Sequence, residues 1–179
     1  GESGSSGTGT AHQLPAVEPR LVTIGTLLDT RPQDLAKCDI EAMNLACVVH
    51  RYGADIAGGS EAHCRHLAER LARTHKVTVL TSCARDYVSW RNSYPAGQSE
   101  AGGVTLIRFP AARPRNLARF FEISDRVFSW AGSHDEEEEW FRENGPDLPG
   151  LLQHLREHGR AYDRVLFWCY RYAPSFFGL

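Results

Sequence analysis

No stretch of this chain approaches the roughly 18 consecutive apolar residues that a membrane-spanning helix requires. No apolar segment follows the N-terminus either, because the opening residues are rich in Gly, Ser, Thr and Pro, and a secretory signal peptide is therefore not expected. Neither sign of charge is in excess: a formal net charge of −2 argues against a nucleic-acid binder, which would present a basic face. It argues equally against a general electrostatic attraction to membranes. The five cysteines (Cys38, Cys47, Cys64, Cys83 and Cys169) are odd in number and no two form C-x-x-C. Three of them, Cys47, Cys64 and Cys169, sit inside apolar patterns. Free or buried thiols in a reducing compartment follow, so a cytoplasmic location is expected. The dinucleotide fingerprint G-x-G-x-x-G is missing, which removes support for an NAD role. No internal repeat of fixed period is visible.

What remains is an ordinary globular composition over 179 residues, enough for one domain with a useful core, plus tails. Residues 1–20 have almost nothing to bury and read as a disordered tail or added leader. Residues 21–42 are an ambiguous extension: Leu21–Leu28 has the look of a short strand and Arg31–Ala42 of a helical turn or two. From residue 43 the pattern is clear. Leu45–His50 is a continuous apolar run, as a strand buried on both faces would be. A glycine-bearing loop, Arg51–Gly59, leads to Ser60, a helix cap with Glu61 in the first turn. Along the helix, Cys64, Leu67, Ala68 and Leu71 form one apolar face. Val77–Leu80 is a second strand, and the whole is a βαβ unit. Val104–Phe109 reads as a third strand after a long loop, Ser82–Gly103. Asn116–Trp130 reads as a helix with Leu117, Phe120, Phe121, Ser124, Val127 and Phe128 along one side. A helix at about Leu151–His158 precedes a strand at Arg164–Cys169. Alternating strands and helices predict an α/β fold, a Rossmann-like parallel sheet flanked by helices, over residues 43–179. The chain closes on Pro174–Leu179, an apolar run with two adjacent phenylalanines, and we expect it to be a fragment cut partway through the sheet.

Gly58-Gly59-Ser60-Glu61 joins the first strand to the first helix. In open parallel sheets ligands bind beyond the carboxyl ends of the strands. A helix N-terminus there offers unpaired N–H groups and the positive end of the macrodipole to an anion. Glycine lets a ligand approach the backbone closely. The rival reading is an ordinary strand-to-helix turn.

The stretch Val48–Leu80, VVHRYGADIAGGSEAHCRHLAERLARTHKVTVL, resembles the opening of family 4 glycosyltransferases of the GT-B fold: a strand, a loop ending Gly-Gly-x-Glu, a Leu/Ala-rich helix and a Val-Thr-Val-Leu strand. The likeness extends through Asp86–Trp90, Tyr94–Gly97, Gly103–Pro110, Tyr162-Asp163 and Tyr170–Ser175 with Gly178. It implies the N-terminal, acceptor-side domain of a retaining glycosyltransferase, with a nucleotide-sugar donor as co-substrate, no other cofactor and no bound metal. The partners implied are a nucleotide sugar, a sugar or lipid-linked acceptor and a missing C-terminal domain; peripheral contact with the inner face of a membrane stays open. The fragment alone is expected to be inactive. The substrate-binding candidates are Gly58, Gly59 and Glu61, with His50, Arg51 and Arg171 on the rim of the same cleft. Two departures stand out. A histidine that many members carry after the fourth strand is replaced by Tyr170-Arg171-Tyr172, so no catalytic residue is assigned. The paired glutamates of the family belong to the C-terminal domain, and Glu61 and Glu69 are not that pair.

Other groups admit plainer readings. His154-Leu-Arg-Glu157-His158 matches H-x-x-E-H, a zinc-hydrolase pattern, but sits on an ordinary crossover helix without a third ligand. His63 and His66 around Cys64 fit a solvated helix face better than a metal site. Asp135–Glu139 reads as a solvated acidic run, in a mobile loop over the cleft, or as a contact for a basic partner. Trp90, Arg91 and Tyr94 are candidates to stack on a sugar ring, or loop anchors. A non-catalytic nucleotide- or sugar-binding module is the alternative to the transferase.

Overall fold

Period-two alternation along the first strand builds the layers. The structure, a computed structural model, describes residues 41–179. Strand β1 (Asn44–Val48) is buried from Leu45 onward. Leu45, Cys47 and Val49 join one core cluster, whereas Ala46 and Val48 join another. Successive side chains on a strand point to opposite faces, so the sheet must be covered on both sides. Helix α1 (Gly59–Leu71) covers the first face with Cys64 and Ala68, both fully buried. Helix α4 (Pro149–His158) covers the second with Leu151, backed by Leu152 and Leu155.

Strands β2 (Lys76–Ser82), β3 (Gly97–Ala101), β4 (Val104–Phe109) and β5 (Arg164–Phe167) complete a five-stranded sheet of order β3-β4-β2-β1-β5. β1 pairs in parallel with both β2 and β5, and β2 with β4; β3 alone is antiparallel, on β4. The fold is α/β and Rossmann-like, as expected, with one antiparallel edge strand added. That strand, Gly-Gln-Ser-Glu-Ala, is exposed throughout and carries no apolar alternation, which is why the region read as loop. The strand expected at Leu21–Leu28, nearly all of Arg31–Ala42, the tail 1–20 and Cys38 lie outside the described residues. The four described cysteines are unpaired. Among the described residues no helix is long and apolar enough to cross a membrane.

Between β4 and α4 the chain inserts two helices, α2 (Leu117–Phe128) and α3 (His134–Asn144). Two expectations are corrected there. The acidic run Asp135–Glu139 is not a loop but the first turns of α3. Ser133 and Glu136 form a reciprocal capping box, and three acids stand in the first turn, where the positive end of the helix dipole favours them. Arg126 pairs with Glu136 (2.7 Å), and Arg119 with Glu139 (2.7 Å), which ties α3 to α2. Ser133→Ala is expected to cost about 1 kcal/mol in urea unfolding, the usual worth of an N-cap. A solvated run that owed nothing to the cap would be unmoved. The second correction concerns α2, whose apolar face was expected to lie together. Ile123 is the residue it buries completely, while Leu117, Phe121 and Phe128, which share one arc of the helix, remain exposed.

The last helix, α5 (Ala173–Gly178), follows β5 and buries Ala173, Pro174 and Ser175.

Candidate functional site

The strand order reverses at β1. From β1 the chain runs outward through β2 to β4, then returns across the sheet to lay β5 on the other side of β1. In doubly wound sheets that switch point leaves a crevice at the carboxyl ends of the two central strands. A cleft of about 270 Å³ occupies this position, lined by residues following β1 (His50, Arg51), the turn into α1 (Ala57–Glu61), Tyr87, and residues following β5 (Cys169, Tyr172).

Gly58 and Gly59 are exposed on this cleft. Gly58 is the N-cap of α1 and, having no side chain, provides no capping hydrogen bond. The first N–H groups of a helix have no intrahelical acceptor; that of Glu61 meets its own carboxylate, and no hydrogen bond among the described residues takes up those of Gly59 and Ser60. A β-carbon on Gly59 would meet nothing within 4 Å. Gly58 is different. A β-carbon there would stand 2.7 Å from the Glu61 carboxyl carbon, because the Glu61 side chain folds back beneath the turn. The two glycines therefore serve separate ends: Gly58 makes room for Glu61, and Gly59 leaves the helix end bare.

Glu61 is buried and does not reach into the cleft as a free carboxylate. It accepts hydrogen bonds from Arg51 Nη2 and from His50 Nε2 at 3.0 Å. Burial alone would raise its carboxyl, but the hydrogen bond and charge of His50, its own backbone N–H and the Arg51 guanidinium overcome this and hold it down at about 2. Arg51 is also buried; its Nη1 donates to the Arg85 carbonyl at 3.0 Å, and its guanidinium lies 5.2 Å from the centre of the Tyr87 ring. With Arg51 and Glu61 cancelling, the attraction for an anion comes from the helix end, equivalent to roughly half a positive charge.

His50 is packed on every side. Tyr172 lies over its ring at 4.1 Å, Trp90 meets it edge-on at 5.9 Å, and its backbone carbonyl accepts from Ser82 Oγ at 2.5 Å. Its Nδ1 is buried with no partner among the described residues. Trp90, a sugar-stacking candidate, is a buried anchor: its indole N–H donates to the Asn144 carbonyl at 2.7 Å. Tyr94 is half-buried and already engaged, donating to the exposed Asp55 at 2.8 Å with the Arg108 guanidinium over its ring at 4.1 Å, while Arg91 is exposed.

Of the six expected binding residues, five converge: His50, Arg51, Gly58, Gly59 and Glu61. Arg171 does not. It lines a separate apolar cavity, and Tyr172 takes the place on the cleft that was expected for it. Residues 169–172 form a turn, closed by the Tyr172 N–H on the Cys169 carbonyl at 3.2 Å, which carries Tyr170 and Arg171 to the cavity and returns Tyr172 to the cleft. Tyr172, Cys169 and Tyr87 are the lining residues that sequence reasoning missed; the aromatic flanking Arg171 was the available signal for the first.

The metal-like patterns disperse. The rings of His154 and His158 lie 4.8 Å apart, but Glu157 accepts from Gln153 and His154 Nε2 is hydrogen-bonded to the Tyr162 hydroxyl at 2.9 Å. Cys64 is in the core, and His63 Nδ1 accepts from the Trp168 indole at 3.2 Å. Among the described residues no three His, Cys, Asp or Glu side chains are grouped to hold a metal ion.

Comparison with protein-family models, with curated protein sequences and with solved structures found no match to this chain.

Proposed function

We propose that the chain is the acceptor-side domain of a retaining glycosyltransferase of the GT-B type, binding the phosphate end of a nucleotide sugar at the first turn of α1. The observation that carries this reading is the uncapped, exposed Gly58-Gly59 turn opening on a cleft at the switch point between β1 and β5. Backbone amides fixed at a helix end suit a phosphate ester. They suit it more as the glycosidic bond breaks and negative charge grows on the departing phosphate, which is how preorganised donors accelerate a reaction. Glu61, held down by Arg51 and His50, fixes the turn from beneath and does not itself contact the donor. A second Rossmann-like domain would close the cleft and hold the nucleotide, and a sugar or lipid-linked acceptor would complete the reaction in the cytoplasm.

A second reading, a non-catalytic nucleotide- or sugar-binding module, draws support from one observation. The charged side chains lining the cleft, Arg51 and Glu61, are engaged with each other and with His50, and neither is left as a base or nucleophile. A panel of UDP-, GDP-, ADP- and TDP-glucose, assayed for binding and sugar release by the intact protein, separates the two. Transfer or release of sugar supports the transferase; binding without release supports the module; no binding by any donor overturns both.

A further inference from the structure

A second cavity, of about 450 Å³, lies between α2, α3 and the segment following β5. It is lined by Val127 and Phe128 of α2, by Glu137, Trp140 and Phe141 of α3, and by Tyr170 and Arg171. Its lining is largely apolar, and the indole N–H of its central tryptophan is already satisfied. The Trp140 indole N–H already donates to Ser124 Oγ at 2.8 Å, and that hydroxyl donates on to the Phe120 carbonyl at 2.6 Å. Phe128 meets Trp140 edge-on at 5.4 Å, and Phe141 is stacked on Phe176 at 3.8 Å. Phe128 and Tyr170 are nevertheless 66% and 83% exposed, so two aromatic side chains stand uncovered together at one opening. The volume is that of a small-molecule site.

Its position links it to the cleft. The helices α2 and α3 are inserted after the carboxyl end of β4, and Tyr170 and Arg171 follow the carboxyl end of β5, so cavity and cleft share one edge of the sheet. Cys169 and Tyr172 line the cleft; Tyr170 and Arg171, between them in sequence, line the cavity. Consecutive Cα atoms are about 3.8 Å apart, so one short segment walls both.

We infer that this cavity receives an apolar group, a ring system or hydrocarbon chain, carried by the acceptor whose hydroxyl is presented to the neighbouring cleft. The inference deepens the reading of the cleft as the phosphate side of a sugar-transfer site and rests on it. Aromatic walls accept flat rings by offset or edge contact, and Arg171 and Glu137 at the rim hold the polar remainder in water.

The test titrates the 179-residue chain with 2-naphthyl, octyl and methyl β-glucosides, the octyl compound below its micelle concentration, and separately with inorganic pyrophosphate. The sugar keeps each probe in solution. The naphthyl probe is expected to bind at least tenfold more tightly than the methyl probe, and to lose at least fivefold in both Phe128→Asn and Tyr170→Asn, which add no charge beside the cleft. These two side chains are exposed, so the core is untouched, and pyrophosphate affinity is expected to be unchanged. Octyl binding equal to naphthyl assigns the cavity to hydrocarbon chains, and naphthyl binding alone to ring systems; either supports the inference. Equal affinity of all three glucosides, or naphthyl affinity indifferent to both substitutions, overturns it. Loss of pyrophosphate binding in the unsubstituted chain counts against the phosphate site instead, so the two failures are distinguishable.

Discussion

Glu61→Ala is expected to cost about 3–5 kcal/mol of unfolding free energy, the usual effect of removing one partner from a buried ion pair. Arg51 and His50 would be left facing each other at largely buried positions, one of them permanently charged. The gentler Glu61→Gln keeps the volume and removes the charge, and its effect depends on pH. In the folded chain the Glu61 carboxyl lies at about 2, against an ordinary value of 4.5. A lowered carboxyl contributes stability that is fully present above its unfolded value and is lost as pH falls through the folded one. The window therefore runs from about pH 4.5 down to about 2, and the shift corresponds to about 3 kcal/mol. Urea unfolding at pH 7, 5, 3 and 2 reads this directly: the gap between the parent chain and Glu61→Gln should be widest at pH 7 and close toward pH 2. A gap of constant size would mean that the ion pair beneath the turn contributes nothing. Gly58→Ala approaches the same contact from the backbone, since its β-carbon would crowd the Glu61 carboxylate and drive it from its partners.

The second large effect separates stability from binding. Gly59→Asp is expected to leave stability unchanged or raise it by up to about 1 kcal/mol, because a carboxylate in the first turn complements the helix dipole and the position has open space. The same carboxylate would occupy the place meant for the ligand's phosphate and repel it. Pyrophosphate affinity should fall at least tenfold, as measured by calorimetry beside thermal unfolding of the same sample. An ordinary turn with no ligand would show the stability change and no binding to lose. Few substitutions move these two quantities in opposite directions, and here the bare helix end requires it.

The parts of the fold legible beforehand are those whose burial leaves a pattern in the residues. β1, α1, β2, β4 and β5 are apolar runs or stripes, and they are present within a residue or two of where those runs place them. β2 extends to Thr81 and Ser82, which are polar yet fully buried at the end of the sheet, so hydropathy alone stops the strand too soon. β3 is a strand through its hydrogen bonds to β4 and not through burial, and nothing in Gly97–Ala101 announces it. For α3 the signal was present: Ser133 three residues before Glu136 is a capping box, but five consecutive acids outweighed it until the basic residues of α2 supplied their partners. In α2 a broad apolar arc hid the fact that only part of it faces inward, about Ile123, and the surplus became one wall of the apolar cavity. At the site, the glycine pair was legible because backbone exposure needs glycine. The burial of Glu61 was not, since nothing local says whether an acid in a first turn faces water or folds back on an arginine ten residues earlier. Arg171 failed for a related reason: charge drew attention to it, whereas the direction of the chain after β5 gave the cleft to Tyr172.

The central claim is that the first-turn amides of α1 hold an anionic group in the cleft between β1 and β5. Titrating the isotopically labelled chain with inorganic pyrophosphate while following each backbone amide by NMR tests it most directly. The account predicts saturable shifts that are largest at Gly59 and Ser60, with smaller ones at Tyr172. Shifts confined to exposed arginines elsewhere, with the Gly59 and Ser60 amides unmoved at saturation, would contradict it.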